Sequence, residues 1–177
     1  ARRILNMDQT RIPKERIAVL IGKKGEIKKK ISQVTNTKLR INSKDGDVII
    51  SGENGLDVYM AKKIITAIGR GFNPEIALTL LNEENDIEII NIQGFTRNTK
   101  NDLERIRARL IGKEGITRKL VENITNVEIS IYGKTISIIG NLVNLNIARH
   151  GVINLLQGSK HGKVYSYLEK QRKAKNL

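Results

Sequence analysis

Two short stretches of the chain combine residue types that can grip a phosphate: Gly22-Lys23-Lys24-Gly25 and Gly112-Lys113-Glu114-Gly115. Paired glycines let a backbone turn approach a ligand without side-chain obstruction. An amphipathic stretch precedes and follows each motif, so each predicts a turn between two helices. The second helix then aims its free N–H groups and positive dipole end at whatever sits in the turn, and an anionic oxygen suits that position. Lys23, Lys24 and Lys113 place ammonium groups beside it. Lys28, Lys29 and Lys30 extend the field after the first motif and Arg118 and Lys119 after the second, where Glu114 weakens it. The first motif is therefore expected to contribute more salt-dependent affinity.

The two motifs belong to an internal repeat. Leu20-Ile21-Gly22-Lys23-Lys24-Gly25 matches Leu110-Ile111-Gly112-Lys113-Glu114-Gly115 at an offset of 90 residues. The same offset aligns Ile31 with Val121, Val34-Thr35-Asn36 with Ile124-Thr125-Asn126, and Leu39 and Ile41 with Ile129 and Ile131. Two residues are lost in the next turn, after which Val48-Ile49-Ile50-Ser51-Gly52 matches Ile136-Ser137-Ile138-Ile139-Gly140 at an offset of 88. Basic, Ile-rich composition does not hold a register through four elements, so the chain reads as two copies of one module.

The elements that position the motifs follow from periodicity. In the first copy, residues 3–12 have room for one strand only. Lys14 to Ile21 has a one-faced helical pattern started by Pro13 and stopped by Gly22. A second helix spans about Gly25 to Thr35, strands fit Lys38 to Ile41 and Val48 to Ile50 around a hairpin loop, and a third helix fits Asn54 to Ile68. The second copy repeats the order: a strand near Ile87 to Gln93, helices near Lys100 to Ile111 and up to Thr125, strands near Val127 to Ile131 and Thr135 to Ile139, and a helix near Leu142 to Leu156. Between the copies, Asn73-Pro74 starts a short apolar helix.

Composition excludes much else. Among 177 residues, 32 Lys+Arg against 18 Asp+Glu leave a formal net charge of +14, which favours a polyanionic partner. The excess is uneven: residues 1–71 carry 16 basic and 7 acidic residues, 72–85 carry 0 and 3, 86–156 carry 10 and 7, and 157–177 carry 6 and 1. That division predicts two domains at 1–71 and 86–156, a connecting helix at 72–85 and a basic C-terminal tail at 157–177. Zero cysteines exclude a disulfide scaffold and a cysteine nucleophile, and two histidines leave little for a metal centre. No apolar run approaches the roughly 18 residues of a membrane span. A soluble cytoplasmic protein with no membrane partner, no cofactor and no metal is expected. Tyr59, Phe72, Phe95, Tyr132, Tyr165 and Tyr167 are the whole aromatic supply, too few for a sheet that stacks bases on rings. Gly158-Ser159-Lys160-His161-Gly162-Lys163-Val164 is one residue short of a P-loop and lacks its magnesium-binding hydroxyl. No carboxylate or histidine constellation for catalysis is present, so no enzyme is expected.

With the two motifs in register inside a βααββα string, the chain resembles the KH family of single-stranded nucleic-acid-binding modules, whose GXXG loop clamps about four nucleotides by their backbone. The likeness covers residues 3–156. Two strands and a helix after each GXXG resemble the eukaryotic-type order, so the fold implied is α+β, two type I KH domains, each a three-stranded antiparallel sheet packed by three helices, joined by a short helix. In that family bases lie in an apolar groove beside the loop. The resemblance implies an RNA-binding surface of Ile21, Gly22, Lys23, Lys24, Gly25, Ile27, Lys28, Lys29, Leu39 and Arg40 in the first copy. In the second it implies Ile111, Gly112, Lys113, Glu114, Gly115, Ile116, Arg118, Lys119 and Ile129. Ile31 and Val121 read instead as core. One departure stands out: many KH modules are apolar three positions after the second glycine, whereas Lys28 and Arg118 are basic.

The tandem arrangement is similar to a narrower group, the archaeal and eukaryotic KH proteins that assist small-subunit ribosomal RNA maturation. Gly71-Phe72 through Glu75-Ile76-Ala77-Leu78-Thr79-Leu80-Leu81, Arg109 through Arg118, and Gly158 through Tyr165 resemble its inter-KH helix, second KH motif and closing segment. That resemblance implies a monomer that binds single-stranded RNA near the 3′ end of small-subunit rRNA. Its implied partners are the nuclease that trims that end and other assembly or translation initiation factors. Eukaryotic relatives carry a long N-terminal extension, so an archaeal-type protein is expected. The alternative is an adaptor in which one copy binds RNA and the other, on charge the second, binds a protein. Lys170, Arg172, Lys173 and Lys175 fit either a solvated helix end or a further contact surface.

Overall fold

A computed structural model of the chain describes residues 3, 5–97 and 99–175. Ile4, within the first expected strand, lies outside the described residues. The chain divides between Asn82 and Glu83 into two compact units.

In the first unit, β1 (Asn6–Arg11), β2 (Lys38–Asn42) and β3 (Asp47–Gly52) form an antiparallel sheet in the order β1-β3-β2. The central strand shows the alternation of a sheet covered on one face: Val48, Ile50 and Gly52 are buried while Asp47, Ile49 and Ser51 are partly open. Its register sets Leu39 opposite Ile50 and Arg40 opposite Ile49. The covering layer is α1 (Ile17–Ile21, after a 3-10 turn at Lys14–Arg16), α2 (Glu26–Thr35) and α3 (Gly55–Gly69). Leu20, Ile31, Ile50, Ile64, Ile65 and Ile68 are fully buried between the layers. Burying one such aliphatic side chain stabilises by about 1.5–3 kcal/mol, so this seam holds the unit together. Asn54 caps α3 by accepting from the Leu56 N–H at 2.9 Å.

The connecting segment forms α4 (Pro74–Leu78) and a 3-10 turn (Thr79–Leu81), capped by Asn73. It packs against α3 with Ala77 and Leu80 fully buried, so it is part of the first unit rather than a separate piece.

The second unit repeats the plan with β4 (Asn85–Asn91), α5 (Lys100–Ile111), α6 (Ile116–Thr125), β5 (Glu128–Tyr132), β6 (Thr135–Asn141) and α7 (Leu142–Leu156), the sheet running β4-β6-β5. The repeat extends to details. Thr35 and Thr125 each donate back to the carbonyl four residues earlier at 2.6 Å, and Asn36 and Asn126 each end their helix with positive φ, 52° and 53°.

The segment read as a basic tail is a helix, α8 (His161–Lys175), docked on α6 and α7. Val164 and Leu168 are buried in the second core. The close approach needs Gly151 on α7, where a Cβ would stand 2.8 Å from Leu168 Cδ2. The charge-based division at residue 157 therefore differs from the packing, because charge reports the solvent face and two apolar residues four apart decide the other one.

Candidate nucleic-acid interface

The two loops share one backbone conformation. α1 ends with the Gly22 N–H donating to the Ala18 carbonyl at 2.9 Å, and α5 ends with Gly112 donating to Ala108 at 2.8 Å. Gly22 and Gly112 have φ/ψ of 73°/177° and 74°/172°, Lys24 and Glu114 have 53°/27° and 54°/27°, and Gly25 and Gly115 have 74°/17° and 76°/14°. The Gly25 and Gly115 N–H groups each close the turn on the carbonyl of the first glycine at 3.2 Å. Left-handed Lys24 and Glu114 are costly for residues with a Cβ, so the rest of each turn must hold them there.

The two glycines of each loop do different jobs. A Cβ on Gly22 would stand 2.5 Å from Ile27 Cγ1, and one on Gly112 would stand 2.3 Å from Thr117 Oγ1, so the first glycine lets the following helix close up behind it. At Gly25 a Cβ would meet nothing within 4 Å, and at Gly115 only Lys119 Cε at 3.8 Å. The second glycine thus faces the open side, from which a ligand reaches the first turn of α2 or α6. Lys23, Lys24, Lys29, Lys113 and Lys119 are exposed there, and among the described residues none of them is held in an ion pair.

Other expected residues are distributed unevenly. Ile21, Ile27, Lys28, Ile111 and Arg118 are half-buried beside the loops. Leu39 and Ile129 point into the cores and are 4% and 6% exposed, joining Ile31 and Val121. Arg40 is not brought to the loop: strand alternation turns it to the opposite face of the sheet from Leu39, where it lines a cavity of about 590 Å³ with Gln9, Asn42, Lys44 and Asp47. Ile116 is 56% exposed at the start of α6 and is the register partner of Glu26. The true counterpart of Ile27 is Thr117, buried behind Gly112.

One charged residue of this region was not foreseen. Glu122 accepts from Arg118 Nη1 at 2.9 Å with one carboxylate oxygen and from the Ile129 N–H at 2.9 Å with the other, tying α6 to the edge strand β5. Burial is the largest influence on its carboxyl and pushes it above the ordinary 4.5, with the Ile129 N–H and Arg118 opposing. The basic residue that departs from the usual apolar KH pattern in the second copy thus has a partner. The signal for it was an Arg-to-Glu spacing of i,i+4 on a helix.

A family model described as a KH domain matches residues 8–67, and one described as a eukaryotic-type KH domain (KH-domain type I) matches residues 86–173. The crystal structure of Dim2p from Pyrococcus horikoshii is 46% identical with a TM-score of 0.86, covering 93% of this chain and 99% of that one. The chain belongs to the tandem KH family of Dim2p and PNO1. Dim2p in a complex with a/eIF2α and rRNA matches at 44% identity and a TM-score of 0.90, over 98% of this chain and 97% of that one. A KH domain-containing protein of Methanocaldococcus jannaschii is 43% identical over 166 residues, 92% of this chain and 72% of its own length. The pre-rRNA-processing protein PNO1 of Saccharomyces cerevisiae is 32% identical over 105 residues, 59% of this chain and 38% of its own length.

Within this tandem KH chain the second loop is supported from behind by α8. Tyr165 on α8 donates to Thr117 Oγ1 at 3.3 Å, and Thr117 in turn packs under Gly112. His161 Nε2 lies 3.0 Å from the Arg109 carbonyl. Arg109 donates to the Leu155 carbonyl at 3.1 Å and to that of Ser159, and Arg16 donates to those of Ile68 and Phe72 at 2.8 Å. In each KH copy a guanidinium therefore pins the helix before the loop to the end of the third helix. Among the described residues no group of three or more His, Cys, Asp or Glu is placed to hold a metal, and no helix is long and apolar enough to cross a membrane.

Proposed function

We propose that this protein is a non-enzymatic factor of small ribosomal subunit assembly that binds single-stranded rRNA near the 3′ end through both GXXG loops. One observation carries the reading: two turns of the same left-handed geometry present Lys23, Lys24 and Lys113 at the starts of α2 and α6 with their second glycines open to solvent. A backbone nest of that kind coordinates phosphate oxygens without reading sequence. Ile21, Ile27, Lys28 and Lys29, with Ile111, Arg118 and Lys119, flank the strand; Ile31, Leu39, Val121 and Ile129 shape the groove from the core side.

The relatives support the rRNA assignment. Dim2p has been solved together with rRNA, and the yeast relative is a pre-rRNA-processing protein. The protein acts as a monomer in the cytoplasm, handing the rRNA end to the nuclease that trims it. A titration with a strand copying the small-subunit rRNA 3′ end and a scrambled strand of equal length tests this. Wild type prefers the native strand, and Lys23→Asp/Lys24→Asp or Lys113→Asp weakens binding to both strands; equal affinity for both strands, unmoved by either variant, overturns it.

A second reading, an adaptor whose one copy holds RNA while the other holds a protein, has its own support: the Dim2p complex contains both rRNA and a/eIF2α. Under that reading one loop tolerates aspartates without loss of RNA affinity.

A further inference from the structure

The sequence leaves Lys170, Arg172, Lys173 and Lys175 as either a solvated helix end or a contact surface, and the packing of α8 sorts them. Lys175 Nζ donates to Asn144 Oδ1 in the first turn of α7, and Arg172 stands 3.9 Å from Glu169, the one acidic residue of the helix. Both serve the protein itself. Lys170 and Lys173 are exposed, and so is Lys163 near the start of the same helix. Among the described residues none of these three lysines is held in an ion pair.

At 3.6 residues per turn, positions 163, 170 and 173 fall within roughly 80° of one another, turned away from buried Val164 and Leu168. Ser166 completes that exposed face, which carries no carboxylate. The row is about 15 Å long at 1.5 Å per residue. A helix face kept soluble by charge mixes both signs and pairs them at i,i+4, whereas like charges one turn apart, as Lys170 and Lys173 are, work against the helix. A row of phosphates laid along the face reverses that repulsion.

The row is also continuous with a loop already assigned to RNA. α8 begins beside the second GXXG turn: His161 Nε2 lies 3.0 Å from the Arg109 carbonyl, and Tyr165 reaches Thr117 under Gly112. That loop is the weaker of the two by charge, since Glu114 stands where the first has Lys24. The first copy has no counterpart of the row, because residues 72–85 after its third helix contain no Lys or Arg. Resting on the RNA-binding reading above, we propose that the Lys163, Lys170 and Lys173 face of α8 is a phosphate track that holds RNA running on from the second loop, so that this copy grips more than the about four nucleotides of a GXXG groove. Contacts of this kind position a strand without reading its sequence.

The test uses the full chain with Lys23→Asp/Lys24→Asp, so that the second copy dominates, with and without Lys163→Gln/Lys170→Gln/Lys173→Gln. Anisotropy titrations over a salt series compare a strand of about six nucleotides, enough to fill one GXXG groove, with the same strand extended by about eight uridines at its 5′ or 3′ end. With the lysines present, one extended strand binds with a log–log salt slope about 2 steeper than the short strand, from −0.7 for each of three phosphates. The glutamine variant abolishes that difference and leaves the short strand unaffected. Equal slopes with and without the lysines on both extended strands overturn the proposal. An equal loss on the short strand does so too, because it marks the general field of the molecule rather than a track. Acetylation of the three lysines, followed by mass spectrometry in the chain that retains them, gives a check that needs no substitution on α8: the extended strand slows it and the short strand does not. Unaltered reactivity contradicts the track and leaves the face to a protein partner. Failure of the RNA-binding reading looks different, since the short strand then shows no salt-dependent binding to the wild-type chain.

Discussion

Gly22 and Gly112 differ from Gly25 and Gly115 in what an added methyl group would meet, so the two kinds of glycine should fail differently. Gly25→Ala retains open space and loses only left-handed freedom, about 1–2 kcal/mol. Gly112→Ala also drives a methyl group into Thr117, so its cost rises to roughly 2–4 kcal/mol. Urea unfolding with an unchanged m-value checks the order, and equal costs would contradict the assignment of roles. Glu122 makes a second prediction. Its carboxyl titrates above 4.5 in the folded chain because burial outweighs the help of the Ile129 N–H and Arg118. Just above 4.5 the folded state then binds more protons than the unfolded one, so this group's contribution to stability grows as pH falls and is lost as pH rises through the folded value. Wild type should therefore gain on Glu122→Gln as pH drops from 7 toward 4, measured by thermal melts; the opposite trend would show that the ion pair dominates. At this scale the glycines were legible in the sequence because positive φ has a residue signature. The resemblance alone did not separate Arg40 from Leu39, which strand alternation sends to opposite faces, nor show that Ile116 stands at the register of Glu26 while Thr117 stands at that of Ile27.

Among the elements, α8 is the one that local pattern least announced. Its buried face rests on Val164 and Leu168 within a lysine-rich segment, a stripe too thin to distinguish from a solvated helix end. The docking was recoverable only from the partner surface, where Gly151 leaves room for Leu168. The other helices carried three or more apolar residues at helical spacing, and their caps, Asn54, Asn73, Thr99 and Asn141, stand where the expected helices begin. Leu168→Ala should cost about 2–5 kcal/mol because the site is fully buried, whereas Leu56→Ala, at a side chain 76% exposed, should stay within about 0.5 kcal/mol. Differential scanning calorimetry separates them, and a silent Leu168→Ala would mean that α8 does not dock. Because Tyr165 reaches Thr117 behind Gly112, losing α8 should also weaken RNA binding through the second loop more than through the first.

For the whole molecule, the repeat was legible because from the GXXG loop to the last strand its register slips once, in an insertion-tolerant turn; ahead of the loop the first strands align at an offset of 80, with Asp8 and Glu88 in equivalent places. The boundary between the units was not, since the acidic segment at 72–85 looked separate by charge while Ala77 and Leu80 pack into the first unit. Under the proposed function, two phosphate contacts on one chain let the second form at high effective concentration once the first is made. Engagement of roughly six phosphates of a single strand predicts a log–log salt slope of about −4, from −0.7 per phosphate neutralised. The most direct measurement is therefore a salt series of binding isotherms for one rRNA 3′-end strand, comparing wild type with a chain carrying Lys23→Asp, Lys24→Asp and Lys113→Asp together. Removing three phosphate contacts should flatten the slope by about 2. An unchanged slope in the triple variant would mean that RNA is held by the general positive charge of the molecule and not by its two glycine loops.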